Sequence, residues 1–255
     1  FFSTGVTVKI PAGSTSAPVI TFTAANDVIF EQAESFSVAI SAPVNASLGT
    51  DTANATIFDE SAVAPTTNID APLGTNPTDK LGDKPVVSIS ATDPTAVEGT
   101  ANSTLVFTVA QSNPSTQATD IVVTLNLGTV STADITSITY VDASGATVTT
   151  SVAALQAGLA LTIPATPNGA APYSPVFTIT AAQDAIYEVS EALTMNLALG
   201  ANETDATLGT AQATGTIYDG FSDANEAVRT NEDTPITGNV IDTSLFTSNP
   251  SVFLT

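Results

Sequence analysis

Two distant segments of the chain repeat one acidic pattern, D-x-x-[FY]-E-x-x-E. The first copy spans Asp27–Glu34 and the second spans Asp184–Glu191. Only 11% of the residues are charged, so three acids fixed within a short turn are unfavourable unless a positive group lies among them. The repeat indicates a modular chain, and its acids indicate that a cation organises each module.

The repeat extends beyond the acidic turn and divides the chain into segments. Four further pairs of short motifs match in the same order: Ile10-Pro11-Ala12 with Ile163-Pro164-Ala165, Thr23-Ala24-Ala25 with Thr180-Ala181-Ala182, Leu48-Gly49-Thr50 with Leu208-Gly209-Thr210, and Ile57-Phe58-Asp59 with Ile217-Tyr218-Asp219. The spacing between copies drifts, as expected when insertions lie in loops. We therefore predict the C-terminal part of a module at 1–60, a proline-rich linker at 61–84, a complete module at 85–220 and the start of a further β domain at 221–255.

Apolar residues alternate with polar ones along most of the chain. Val6, Val8 and Ile10 share one face of such a stretch, and Leu193, Met195, Leu197 and Leu199 share another. A period of two is typical of strands with one buried face. Gly and Pro interrupt these stretches at the spacing of a β-sandwich. The pattern predicts an all-β protein built from tandem antiparallel sandwiches, with a helical turn only within Val152–Ala160.

The composition limits the classes of function. Four basic residues face 25 acidic ones, and the net charge of −21 argues against nucleic acid or an anionic membrane as partner. His and Cys are absent, which removes the commonest general base and the usual zinc ligands. No apolar run is long enough for a transmembrane helix. Paired carboxylates occur in glycosidases, but a chain without Trp is poorly suited to stack sugars, so we predict no enzyme. The first residues read as a cut through a longer protein.

Strand direction predicts where the acids of 85–220 lie. When successive strands are counted as antiparallel, the segments that carry Glu98, Asp134, the second acidic turn and Asp219 all end at one pole. Glu191 and Asp219 are in phase with core residues, as Glu34 and Asp59 are in the first copy, so they point inward at the rim. Oxygen ligands without His or Cys select a hard cation, and flexible acidic loops favour Ca²⁺ over Mg²⁺. The alternative is that these acids only end strands and face water. The candidate ligands are Glu98, Asp134, Asp184, Glu188, Glu191 and Asp219, with Asp27, Glu31, Glu34 and Asp59 in the first copy.

These motifs resemble the Calx-beta domain, which is common in large bacterial surface proteins. The resemblance rests on Val97-Glu98-Gly99, on Ile10-Pro11-Ala12-Gly13, on the acidic turn and on the final T-I-x-D motif. It implies an Ig-like sandwich that binds Ca²⁺ at one end, next to the following domain. Here the acidic turn has fewer consecutive Asp residues than the family often shows, which implies fewer ions. Residues 223–240 resemble the start of a cadherin-like tandem repeat.

The sequence thus predicts an extracellular or cell-surface stalk segment of a bacterial adhesin, with Ca²⁺ at domain ends stiffening the rod. Its expected partners are neighbouring domains of the same chain. Two alternatives remain open at this point. One is a module that binds carbohydrate or a cell surface through its loops. The other is a subunit of an extracellular filament, in which the missing strands of 1–60 come from another copy.

Overall fold

The computed structural model describes residues 5–17, 19–25, 27–57, 59, 84–184 and 188–220. They fall into two compact units, one within 1–27 and 33–57 and the other within 28–32 and 58–255. The predicted linker, apart from Lys84, and the predicted domain at 221–255 lie outside the described residues. The domain boundaries therefore stay predictions.

The described part of the first unit contains one antiparallel hairpin. Its strands are β1 (Glu34–Ala39) and β2 (Thr52–Ile57), with Glu34 opposite Ile57. The rings of Phe22 and Phe36 lie 5.4 Å apart between centroids. This hairpin contains the sequence counterparts of two strands of the second unit.

The second unit is a two-sheet sandwich. Alternation of apolar and Thr-rich positions specifies most of its strands, because each such strand buries one face. In chain order the strands are β3 (Val86–Asp93), β4 (Thr95–Val97), β5 (Thr104–Gln111), β6 (Thr119–Asn126), β7 (Ile135–Val141), β8 (Thr147–Thr150), β9 (Leu159–Ile163), β10 (Val176–Ala181), β11 (Glu191–Leu199), β12 (Thr207–Leu208) and β13 (Gln212–Tyr218).

Pairing of these strands gives two sheets with all the longer strands antiparallel. One sheet has the order β12-β3-β5-β10-β7-β8 and the other has the order β4-β13-β11-β6-β9. The short strands β4 and β12 add parallel pairs, β4 beside β13 and β12 beside β3. The predicted all-β sandwich is thus confirmed, with two parallel edge pairs that the alternation did not predict.

The core lies between the two sheets and follows the predicted phase. Leu105 and Phe107 of β5 and Phe177 of β10 face Leu193 and Met195 of β11, and all five are fully buried. The register of β11 against β13 places Glu191 opposite Ile217. This register is the same as that of Glu34 and Ile57 in the first unit, so both repeat copies build the same hairpin.

The predicted helical turn is a short helix, α1 (Val152–Ala157). It begins after Ser151, whose side-chain oxygen accepts a hydrogen bond from the Ala154 N–H and so caps the helix. Gly158 ends it with a φ of 100°, a backbone conformation that favours glycine. Leu155 is the residue that α1 buries. No helix among the described residues is long and apolar enough to cross a membrane.

Two alternating stretches of the first unit differ from the prediction. The described residues of 5–25 form no strand, although their counterparts in the second unit are β9 and β10. Both β9 and β10 are held by ladder partners, β6 for the former and β5 and β7 for the latter. An alternating segment becomes a strand only when such a partner supplies the hydrogen bonds, and the described part of the first unit offers none.

Where the described residues of 5–25 form no strand, apolar side chains of the first unit are exposed. Ile20 and Phe22 are 51% and 47% exposed, whereas their counterparts Phe177 and Ile179 are 0% exposed. Ile57 is 38% exposed, whereas Ile217 is buried. Positions that form the core of the second unit therefore form an apolar surface in the first.

We expect Phe107→Ala to destabilise the sandwich by about 3–5 kcal/mol, because it removes a fully buried ring and leaves a cavity. Urea unfolding monitored by circular dichroism measures the loss. Leu208→Ala is the control, since Leu208 is 41% exposed and its truncation should change stability by no more than about 0.5 kcal/mol. Equal effects of the two substitutions would contradict the position of the core.

Candidate metal centre

Six predicted site residues meet at one pole of the second unit. β11 begins at Glu191 and β13 ends just before Asp219, and the antiparallel ladder between these strands brings the two residues to the same edge. β4 runs parallel to β13, and the Glu98 N–H donates to the Tyr218 carbonyl oxygen at 3.0 Å. The backbone alone therefore fixes three acid-bearing segments side by side.

The other sheet contributes the remaining acids. The Ala182 N–H donates to the carbonyl oxygen of Asp134 at 2.8 Å, so the residue before β7 lies beside the end of β10. Asp184 follows two positions later. Glu188 is tied to the first group because its N–H donates to Asp219 Oδ2 at 3.2 Å.

The tightest group consists of Asp134, Glu188 and Glu191. One carboxylate oxygen of each lies within 4.8 Å of the other two. Asp134 is 4% exposed and Glu188 and Glu191 are half-buried. Three carboxylates that converge at this distance can act as ligands of one hard cation.

Glu98 lies next to this group and is 4% exposed. Burial, and after it the negative charges of Asp219, Asp184, Glu188 and Asp134 in that order, together raise its pKa from 4.5 to about 7. Among the described residues, the charges that raise the pKa of Glu98 are all acidic and come from several chain segments.

The other two glutamates respond in the same direction. Burial raises the pKa of Glu191 to about 7, helped by its hydrogen bond with Asp134 and by the charges of Asp134, Glu188 and Glu98. Burial also raises the pKa of Glu188, and the charges of Asp134, Asp184 and Asp219 add to it. A divalent cation bound here would reverse these shifts, because it supplies the missing positive charge.

A glycine permits the close approach of two of these segments. A Cβ on Gly220 would lie 1.8 Å from the backbone oxygen of Glu98, a distance that no side chain tolerates. Gly220 follows Asp219 directly, so its lack of a side chain lets the Asp219 segment pass against the Glu98 backbone.

Sequence reasoning missed the residues that orient Asp134. Its Oδ2 accepts the Ser131 N–H at 2.6 Å and its Oδ1 accepts the Ser131 hydroxyl at 3.0 Å. The S-x-x-D spacing of Ser131 and Asp134 is a known local pattern in which an acidic side chain accepts the backbone N–H three positions earlier, and this spacing is the signal that indicates the pair. Thr129 was also missed, and its Oγ1 accepts the Ala192 N–H beside Glu191 at 2.9 Å.

The four candidates of the first copy are placed differently. The Glu31 N–H donates to Asp59 Oδ2 at 3.0 Å, which reproduces the bond between Glu188 and Asp219. Glu34 is exposed at the start of β1, and Asp27 is exposed at the first position of the acidic turn. Asp27 and Glu34 fall in the first unit, whereas Glu31 and Asp59 fall in the second.

Comparison with known proteins finds matches among solved structures and none among curated protein sequences or protein-family models. A crystal structure of the apo-form Calx CBD1 domain matches with 16% identity and a TM-score of 0.35, over 53% of this chain and 96% of that one. CBD12 from CALX1.2 matches with 14% identity and a TM-score of 0.34, over 52% of this chain and 45% of that one. ACE19, the collagen-binding subdomain of the Enterococcus faecalis surface protein ACE, matches with 11% identity and a TM-score of 0.26, over 52% of this chain and 95% of that one.

In the absence of divalent ions, the raised pKa values predict that the stability of the folded state falls as the pH rises. Between the ordinary value of 4.5 and about 7, the folded state binds protons at Glu98 and Glu191 that the unfolded state releases. Their contribution to stability is complete below pH 4.5 and is lost as the pH rises through 7. In chelator, we expect the melting temperature to be a few degrees higher at pH 5.5 than at pH 8, measured by calorimetry.

Glu98→Gln is the control for this dependence, since general charge repulsion in so acidic a chain also weakens on acidification. The variant keeps the shape of the side chain and loses its titration, so its melting temperature should change less between the two pH values. The same pH dependence in the variant and the unmodified protein would contradict the assignment of the effect to the pole.

Proposed function

We propose that this chain is a structural segment of a secreted or cell-surface bacterial adhesin, with Ca²⁺ bound at the pole of the sandwich. The observation that carries the proposal is the convergence of six carboxylates from four chain segments at one edge, with Glu98 buried among them. Like charges repel at such distances. A bound cation would therefore stabilise the pole, because its positive charge offsets the repulsion between the carboxylates.

The donor set suits Ca²⁺. All candidate ligands are carboxylate oxygens, and several come from the turns at Glu98, Asp134 and Asp184–Glu191 rather than from a rigid helix. Ca²⁺ accepts six to eight oxygens in flexible geometry, whereas Mg²⁺ requires near-ideal octahedral coordination. Asp134, Glu188 and Glu191 would form the centre of the site, with Glu98, Asp184 and Asp219 around it.

The role that we propose is mechanical rather than catalytic. An ion that binds only the folded state stabilises it by about 2.7 kcal/mol at 100 times its Kd, a useful amount for a chain without Cys. Ions at the ends of successive sandwiches would stiffen the joints with neighbouring domains of the same chain. Resemblance to the Calx-beta domain supports this role, because that family binds Ca²⁺ next to the following domain.

We expect Ca²⁺ to raise the melting temperature of the chain by several degrees over that in chelator, measured by scanning calorimetry at pH 8. The reason is that the folded pole binds the ion and the unfolded chain does not. Mg²⁺ at the same concentration should have a smaller effect. An unchanged melting temperature after Ca²⁺ removal would defeat the proposal.

Glu191→Gln separates ion binding from general damage. Without Ca²⁺, the variant should melt above the unmodified protein, because one repelled carboxylate is gone from the pole. With Ca²⁺, it should gain less than the unmodified protein, because a ligand is gone. Asp120→Asn is the matched control, since Asp120 is exposed and lies beside Gly200 at the far end of β11, and it should leave the Ca²⁺ response unchanged.

Assembly by strand addition is a second candidate function, and the apolar surface of the first unit favours it. Ile20 and Phe22 are exposed there although their counterparts are core residues. A strand from another copy, laid beside β1 as β6 lies beside β11, would cover such a surface.

This candidate predicts that the chain associates as its concentration rises, measured by light scattering after gel filtration. Ile20→Lys should abolish the association because it places a charge on the apolar surface. Val44→Lys is the control, since Val44 is 84% exposed in the same unit. A strictly monomeric chain at all concentrations would exclude assembly by this surface.

A further inference from the structure

Five residues of the first acidic turn, Val28–Gln32, belong to the second unit. Phe30 is 6% exposed, whereas Val28, two positions earlier, is 63% exposed. Phe30 is separate from the sandwich core. Something other than the core therefore buries this ring.

Backbone hydrogen bonds hold Phe30 to the loop that follows β5. The Phe30 N–H donates to the Pro114 carbonyl oxygen at 2.9 Å, and the Thr116 N–H donates to the Phe30 carbonyl oxygen at 2.9 Å. The two bonds form a parallel bridge between Phe30 and Ser115. The Thr116 hydroxyl also donates to the Phe30 carbonyl oxygen, at 3.2 Å.

Side chains secure both ends of the segment. The Asn113 amide donates to the Val28 carbonyl oxygen at 3.4 Å, and the Gln32 amide donates to Asp205 Oδ2 at 2.9 Å. Ile29 lies over Gly169, where an added Cβ would be 3.4 Å from Ile29 Cδ1. All three bonds to Phe30 use its backbone atoms, so other residues at this position could also form them, and the ring is the specific element of the segment.

The receiving loop is itself fixed to the sandwich. Ser115 is 1% exposed, and its carbonyl oxygen accepts the Thr166 N–H at 2.7 Å. Its own N–H donates to Thr166 Oγ1 at 3.3 Å, and its Oγ accepts the Gln117 N–H at 2.9 Å. Bonds that do not involve the segment therefore hold this loop at Ser115, and such bonds lower the entropic cost of binding a segment.

We propose that the loop Asn113–Thr116, with Thr166 and Gly169, is an acceptor groove for the acidic turn of the repeat copy that precedes it in the chain. Its ligand is a short extended segment of the form D-x-x-[FY]-E, recognised by one strand-like bridge and by burial of the aromatic ring. Tyr187 occupies the position of Phe30 in the second acidic turn, so the same pattern supplies each following module with a ligand. The docking needs no bound ion and does not depend on the Ca²⁺ proposal.

Amide hydrogen exchange of the full chain, followed by NMR in chelator, tests the proposal. The amides of Phe30 and Thr116 should be protected, and Phe30→Ala should speed the exchange of both by roughly tenfold or more because the buried ring is lost. Amides of β6 and β11 should be unaffected. Val28→Ala is the matched control and should leave all of these rates unchanged.

Two results would contradict the proposed acceptor groove. One is unprotected exchange of Phe30 and Thr116 in the unmodified chain. The other is equal behaviour of Phe30→Ala and Val28→Ala. Since both amides are followed individually, general unfolding would be recognised by loss of protection in β6 and β11. Thr116→Val then supplies the milder test, because it removes the hydroxyl bond to Phe30 and, besides it, only the 3.4 Å bond that Gln117 Nε2 donates to the same hydroxyl.

A peptide experiment tests which ligand the groove takes. A free peptide of sequence 27–34, added to the chain that carries Phe30→Ala, should bind saturably at roughly millimolar concentration, the effective concentration of a tethered segment. It should restore protection of the Thr116 amide, and a peptide of sequence 184–191 should do the same. The 27–34 peptide with Ala in place of Phe should not. No binding of either aromatic peptide, or equal binding of the Ala peptide, would refute the proposed specificity.

Discussion

The ladders on both sides of β11 determine the rest of the second unit. β13 pairs with one edge of this strand and β6 with the other, and both registers place apolar side chains of β11 in the core. The same registers bring Glu191 to the rim beside Asp219, and the parallel pairing of β4 adds Glu98. Side-chain charge opposes this arrangement, since the acids raise one another's pKa. Backbone hydrogen bonds and core packing therefore hold together carboxylates that would otherwise separate.

This conflict connects the fold to the function that we propose. A pole built by the backbone and opposed by its own charges is most stable when a positive charge enters it, whether as protons at Glu98 and Glu191 or as a divalent ion. Ser131 and Thr129 orient the loops around it. The sandwich thus provides a rigid frame, and the ion would determine how firmly the end of that frame is held.

The acidic turn has a second role at its aromatic position. Glu31 and Glu188 make the same backbone bond, to Asp59 and Asp219 respectively, so both copies share this contact between the acidic motif and the final T-I-x-D motif. In the first copy the neighbouring Phe30 is buried against the loop around Ser115. One short motif can in this way supply both carboxylates and a buried aromatic ring, so each copy could contact its successor along the chain.

The sequence by itself determined the strands, their buried faces and the pole at which the acids lie. Alternation of Leu193, Met195 and Leu197 marked the buried face of β11, because burial of one face imposes a period of two along the chain. Strand direction then brought Glu98, Asp134 and Asp219 to one edge. Only the tertiary structure decided which alternating segments become strands. The described residues of 5–25 do not, since a ladder needs a partner that local pattern cannot supply. It also decided that β4 and β12 pair in parallel, that Ser131 orients Asp134 and that Phe30 docks on the loop at Ser115. These depend on contacts between residues distant in the chain, which no local periodicity encodes.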